Sequence, residues 1–235
     1  LKAIQLFNSG DYQKAGIYFQ RAAKNDKDRN ITAQSLFWLA QSHYEGNRYE
    51  EAVDGFILFK NKAPNESTVK ELQYHYNLGY TYFKMADYEF ALKAFQKVVD
   101  LQKYYPRSKV RDAHMRMGDS EFALSRFWPA MEQYNKGIVM SPAQSDYALF
   151  QKGLSYGFVD RNNQKISTLK ELIYKHPNSA FIDDAYYELG SAYSVASSSA
   201  TAINTYNEMI ARYPKSPYIP KAIPVSYTHL TLPTS

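Results

Sequence analysis

There is no cysteine in the chain, and that one absence removes disulfide bridges, thiol nucleophiles and every cysteine-based metal site. Long apolar runs are missing as well: no stretch reaches the roughly 18 to 20 residues that a membrane-spanning helix needs. Histidine is scarce, at His43, His75, His114, His176 and His229, and no two of these share a helical spacing that would aim both at one metal ion. His75 and His114 fall at equivalent places early in two predicted helices and read as structural or solvent-facing. Glycine loops that would cradle a phosphate or a dinucleotide are absent. Gly153-Leu154-Ser155-Tyr156-Gly157 looks superficially like a hydrolase elbow, but Gly153 has a packing role described below. Nor is the charge strongly one-sided: 28 basic against 23 acidic residues leave a formal +5, short of a nucleic-acid-binding face. The carboxylate pairs Glu50-Glu51 and Asp183-Asp184 stand where helices are predicted to start, where negative charge meets the helix dipole favourably. No catalytic, cofactor-binding or metal-ligating residue is therefore assigned, no cofactor is implied, and nucleic acid is not expected as a partner.

What is present in quantity is aromatic: 22 tyrosines and 13 phenylalanines in a chain that is 45% hydrophobic, enough apolar surface to fold. The clearest order lies between Tyr74 and Val99. Leu78, Gly79 and Tyr82 share one face at helical spacing, Ala86-Asp87-Tyr88 breaks the period, and Ala91, Phe95 and Val98 resume it. This reads as two amphipathic helices joined by a tight turn. Gly79 and Ala91 are small enough for two backbones to approach, so the glycine is expected to meet the alanine of its partner helix, with Tyr82, Tyr88 and Phe95 filling the space around them. The same order returns along the chain. It runs through Leu39-Ala40, Tyr44, Tyr49, Ala52 and Phe56, then Met117-Gly118, Phe122, Phe127, Ala130 and Tyr134, then Leu189-Gly190, Tyr193, Ala202, Tyr206 and Met209. A partial copy with Leu6, Tyr12, Ala15 and Phe19 opens the chain. In the copy with Gly153, Tyr156 and Leu169, Lys165 stands where the others have alanine, and a looser helix pair is expected there. The alanine-equivalent positions 15, 52, 91, 130, 165 and 202 are separated by 37, 39, 39, 35 and 37 residues.

This ordered set resembles the tetratricopeptide repeat, a helix-turn-helix unit of about 34 residues. The resemblance implies an all-α fold, a right-handed superhelical solenoid of about six repeats. The array covers 1–223, with repeats near 1–29, 32–64, 70–106, 109–142, 146–177 and 181–214 and the start of a seventh to 222. The spacing beyond 34 is expected in longer second helices and connectors. In the connectors Tyr105-Pro106-Arg107-Ser108, His176-Pro177-Asn178-Ser179 and Tyr213-Pro214-Lys215-Ser216, proline should end one helix and serine cap the next. These connectors and the run Asp184 to Gly190 are similar to bacterial periplasmic tetratricopeptide proteins of outer-membrane assembly and the Tol-Pal system. Val225 to Thr234 resembles a translated transposon-based sequencing adapter, so 224–235 is read as a non-native tail without helical period. Such a tail would leave Tyr206 and Met209 partly uncovered. The first residue is Leu1, already inside the repeat pattern, which leaves room for a lost leader upstream and marks the chain as a fragment of a longer protein.

The implied function is a protein–protein interaction scaffold that holds a partner protein or extended peptide and is not an enzyme. In the family the first helices line a concave groove. That places Phe37, Gln41, Tyr44, Tyr76, Tyr80, Phe83, Met115, Asp119, Phe122, Tyr147, Phe150 and Tyr187 as candidate partner-binding residues, each ring being equally open to a place in the core between repeats. The lysine and asparagine pattern of members that clamp a terminal carboxylate is not evident on these helices. The subgroup resemblance implies a periplasmic or envelope setting. The alternative is an accessory or regulatory segment of a larger cytoplasmic signalling or enzyme-containing protein.

Overall fold

The structure, a computed structural model, describes residues 2–25, 28–62 and 68–228. Parts of the predicted repeats at 1, 26–27 and 63–64 and of the predicted tail at 229–235 lie outside the described residues. Among the described residues the chain is helical throughout, in two compact units. The first holds α1 (Lys2–Asn8), α2 (Tyr12–Asn25), α3 (Arg29–Glu45), α4 (Tyr49–Lys62), α5 (Thr68–Lys84), α6 (Tyr88–Asp100) and α7 (Arg107–Ala123). The second holds α8 (Phe127–Met140), α9 (Asp146–Phe158), α10 (Asn162–Lys175), α11 (Ile182–Val195), α12 (Ser199–Arg212) and α13 (Ile219–Thr228). Glu50 and Glu51 lie in the first turn of α4, and Asp183 and Asp184 in that of α11, as the sequence suggested.

Each turn between paired helices, the predicted one at Ala86 among them, contains one residue in the left-handed region: Gly10, Asn47, Ala86, Ser125, Asp160 and Ser197. They recur at 37, 39, 39, 35 and 37 residues, the period of the alanine positions, so the register read from side chains is also the register of the backbone. In the turns at 10, 47, 86, 160 and 197 the left-handed residue donates its N–H three residues back, and its successor donates five back, as in Ala86 to Phe83 (3.1 Å) and Asp87 to Tyr82 (2.9 Å). That pair of bonds satisfies the last carbonyls of one helix. The next residue's carbonyl then starts the second helix, Asp87 O accepting from Ala91 N at 3.0 Å.

The extra length over the family's usual repeat lies in the first helices of the first unit, where longer second helices were expected, and in the connectors 176–181 and 213–218 of the second unit, as expected. α3, α5 and α7 have 17 residues each, whereas α4, α6 and α8 have 14, 13 and 14. The seam between paired helices also differs from the predicted glycine-to-alanine contact. A Cβ on Gly79 would stand 2.9 Å from the Phe95 ring, one on Gly153 2.9 Å from Leu169 and one on Gly190 2.6 Å from the Tyr206 ring. The glycine clears space for a large side chain 16 positions on, because that side chain crosses over the first helix. Lys165 does not loosen its pair. Its stem lies 3.2 Å from where a Cβ on Gly157 would be, and its ammonium reaches Glu188 at 2.6 Å.

One position two residues after the seam residue is a small hydroxyl in four repeats: Ser42, Thr81, Ser120 and Ser155 are all 0% exposed. Each donates to the carbonyl four residues back in its own helix, at 2.7 to 2.8 Å, which satisfies a buried donor locally. Gly153 to Gly157 does spell the hydrolase pattern, yet it lies within α9 and the Ser155 hydroxyl is turned to Gln151 O, so no nucleophile is presented.

Two of the three connector serines act one step earlier than predicted. Ser179 and Ser216 accept from the backbone N–H of Phe181 (3.1 Å) and Tyr218 (3.3 Å) ahead of the helix, and Ser108 lies inside α7. The end of the chain is the larger correction. α13 carries helical backbone to Thr228, through the start of the stretch read as having no helical period. Tyr206 and Met209 are 3% and 0% exposed, because Ala222, itself fully buried, packs into their cluster with Tyr218 beside it. The residues that begin the seventh repeat are enough to cover them.

Candidate functional site

In the first unit the first helices α1, α3, α5 and α7 wall a cavity of about 220 Å³ lined by Phe7, Phe37, Trp38, Gln41, Glu45, Gln73, Asn77 and Lys109. Its base is aromatic: the Trp38 ring meets Phe7 and Phe37 edge to face, at centroid distances of 5.2 and 5.9 Å. Its rim is polar. Asn77 donates to Gln41 Oε1 at 2.7 Å, and Gln41 donates to Glu45 at 2.9 Å.

Next to it, Tyr76 and Tyr80 both donate to Asp112 Oδ2, at 2.7 and 2.5 Å, so one carboxylate on α7 fixes two rings of α5. Burial first, and then the bond to Asp112, push both phenols well above the ordinary tyrosine range. They stay protonated donors at any physiological pH. Lys109 caps the Tyr76 ring at 4.6 Å, and Arg116 lies over Phe83 at 5.6 Å while pairing with Asp119 at 2.7 Å.

The predicted residues separate into groups. Phe37 and Met115 are largely buried, 7% and 5% exposed, and Phe37 offers the cavity only the ring edge at its base. Phe37 packs edge to face on Phe56 and Phe59, because α3 and α4 close over it. Gln41 lines the cavity, and Tyr76, Tyr80, Phe83 and Asp119 form the polar-aromatic patch beside it. Tyr44 packs partly on the core and edge-on to Tyr49, and Phe122 is half-buried.

In the second unit Phe150 stacks on Phe181 at 5.5 Å and Tyr187 on Tyr218 at 4.7 Å. Tyr147 meets both Tyr134 and Phe181. One face of Phe150 and one of Tyr187 is therefore covered by its neighbour. Sequence reasoning missed Trp38, Gln73, Asn77, Lys109 and Asp112. The partners of Asn77, Lys109 and Asp112 lie more than 30 residues away, and the repeat pattern constrains none of these positions; only a shared phase marks them, Trp38 and Asn77 each standing two residues before the seam residue.

Helix pairs in register, turned by a left-handed residue at each period, with a first-helix face left polar and aromatic, define a helical repeat array that binds through its surface. Models of the tetratricopeptide repeat match residues 1–57, 72–105, 147–179 and 184–216, and the chain belongs to the tetratricopeptide repeat proteins. No curated protein matches it.

Solved structures agree in fold. YrrB, described as a tetratricopeptide protein with an unusual peptide-binding site, is 17% identical with a TM-score of 0.64, covering 91% of this chain and 98% of its own. MamA from Desulfovibrio magneticus RS-1 is 18% identical with a TM-score of 0.64, covering 78% and 97%. A tetratricopeptide protein from Parabacteroides merdae is 13% identical with a TM-score of 0.66, covering 89% and 77%. Among the described residues no helix is long and apolar enough to cross a membrane.

Proposed function

We propose that the chain is a protein–protein interaction scaffold, and that the first-helix face of α1 to α7 holds an extended segment of a partner protein. The cavity walled only by first helices, apolar at its base and amide-lined at its rim, carries this reading. An extended peptide offers backbone N–H and C=O groups at every residue, and the amides of Gln41, Gln73 and Asn77 can both donate and accept. Trp38 supplies apolar contact area. Tyr76 and Tyr80, already held by Asp112, lose little freedom on binding, which lowers the cost of association. YrrB, with its peptide-binding site, supports the same use of the fold. Gln41, Tyr44, Tyr76, Tyr80, Phe83, Asp119 and Phe122 are the proposed contacts from the predicted set, while Tyr147, Phe150 and Tyr187 offer ring edges in the second unit.

Peptides selected from a random display library on the intact chain test this reading. Trp38→Ala and Asn77→Ala should each weaken the selected peptides about tenfold or more, as aromatic anchors and buried polar contacts do. Lys93→Ala and Lys97→Ala on α6 should not. Equal binding by all four variants would overturn it. The connectors and the Asp184 to Gly190 run support an envelope setting for the scaffold. Fractionation of cells expressing the full-length gene checks that, and recovery with cytoplasmic proteins would favour the regulatory alternative instead.

A further inference from the structure

A larger opening lies in the second unit, between α8 and α9: a cavity of about 640 Å³ lined by Trp128, Pro129, Met131, Glu132, Asn135, Lys152 and Tyr156. One lining residue departs from the repeat. The residue before the seam glycine is Leu39, Leu78, Met117 and Leu189 in the other repeats, and here it is Lys152. A lysine cannot fill an apolar packing position without lifting its ammonium to the nearest polar surface.

The ammonium is poorly compensated. Lys152 Nζ donates to the neutral Asn135 Oδ1 at 3.1 Å and makes no ion pair among the described residues. Burial lowers its affinity for the proton below that of an ordinary lysine, outweighing the opposing pull of the Glu171 carboxylate, which is itself paired with Lys175 at 2.7 Å; desolvation penalises the charged form. Around it the balance of charge is positive. Glu132 is neutralised by Lys136 at 2.7 Å, and the Arg161 guanidinium lies 6.0 Å from the Trp128 ring. Trp128 itself is 56% exposed, a large apolar surface held in water at the cavity mouth with Met131 and Tyr156 behind it.

We propose that this cavity is a second binding site, which takes an aspartate or glutamate side chain from an extended segment of a partner protein, with an adjoining apolar residue laid on Trp128. The carboxylate sits between Lys152 Nζ and the amide N–H of Asn135, and supplies the ammonium with a direct ion pair in place of the more distant pull of Glu171. One wall is the second helix α8, so the site is separate from the cavity of the first unit and its success does not depend on that one.

The experiment is a display selection on the intact chain with a library of C-amidated nine-residue peptides, repeated on Lys152→Leu, Trp128→Ala and, as a control, Asn77→Ala in the first unit. Wild type and Asn77→Ala should enrich peptides that pair Asp or Glu with an apolar neighbour. A representative peptide should lose at least tenfold in affinity when its acid is changed to the amide, and should weaken with added salt. Lys152→Leu restores the leucine of the other repeats and should melt no lower than wild type while losing the acidic enrichment. Trp128→Ala, at an exposed position, should weaken the same peptides without unfolding the chain. Selection of no peptides, of peptides without acids, or of the same acidic peptides by Lys152→Leu would each overturn the proposal.

Discussion

Glycine marks the seam between paired helices, but the side it occupies changes. Gly79, Gly153 and Gly190 stand on first helices opposite large side chains, whereas in the pair α3 and α4 the first helix carries Ala40 and the glycine is Gly55 on the second. A Cβ there would lie 2.9 Å from the Ala40 Cβ. Gly55→Ala should therefore destabilise by about 1 to 3 kcal/mol through overpacking. Ala40→Gly in the same chain should recover much of that, giving a coupling of about 1 kcal/mol or more in a denaturant double-mutant cycle. Independent effects would mean the seam is not shared. Gly16 differs: its Cβ would meet Leu39 at an ordinary 3.5 Å, so Gly16→Ala should raise stability by up to about 1 kcal/mol from helix propensity alone. The sequence showed that small residues fall at Ala40, Gly79 and Gly190, because the repeat places them one after a leucine. It did not show Gly55 as the complement of Ala40 or Gly157 as the complement of Lys165, since packing across a seam is reciprocal in volume and a one-sided motif cannot express that.

At the level of the element, the turns were the most legible part, because a broken apolar period is visible without knowing what lies opposite. Their cost was not visible. Ala86 is held at φ 59°, where a side chain strains the backbone by about 1 to 2 kcal/mol. Ala86→Gly should remove that strain against a smaller entropic loss and raise the thermal midpoint, with a net gain of about 0.5 to 1 kcal/mol. An Ala86→Gly melt below wild type would count against this account of the turn.

Hydrogen bonds that join one helix to the next were illegible for another reason: the sequence names tyrosines and carboxylates, but not which of them meet. Tyr186 donates to Glu208 and Tyr218 to Asp184. Burial and then the Glu208 bond push the Tyr186 phenol up to about 12, and the Asp184 bond and then burial push Tyr218 to about 12. A folded phenol that ionises later than the unfolded one stabilises the fold fully below about pH 10, the unfolded value, and loses that contribution as pH climbs toward 12. Melts at pH 9 and pH 11 should thus separate, and Tyr218→Phe should narrow the gap. An equal drop in Tyr218→Phe would show that this phenol carries none of it.

For the molecule as a whole, repeats stabilise one another mainly through nearest neighbours, so the last covered seam sets how the chain opens. Ending it at Pro217 removes Tyr218 from Tyr187 and Ala222 from the cluster of Tyr206 and Met209. That should cost roughly 2 kcal/mol in urea unfolding and speed amide exchange in α12. Ending it at Thr228 should leave both unchanged. A truncation at Pro217 that melted like the full chain would show that α13 covers nothing of consequence. The sequence indicated the start of a seventh repeat but not that so short a start suffices, because Ala222 is a small residue whose value lies wholly in where it packs.

The buried hydroxyls of Ser42, Thr81, Ser120 and Ser155 bear on how such a chain is inherited. Each keeps its bond inside its own helix, so no donor there relies on a particular neighbouring repeat. Recombination that excises or duplicates one period, from a left-handed turn to the next, joins like to like and orphans no polar group at these positions. The gene can lengthen or shorten in blocks of 35 to 39 codons, with each new copy free to exchange its exposed residues for a different partner.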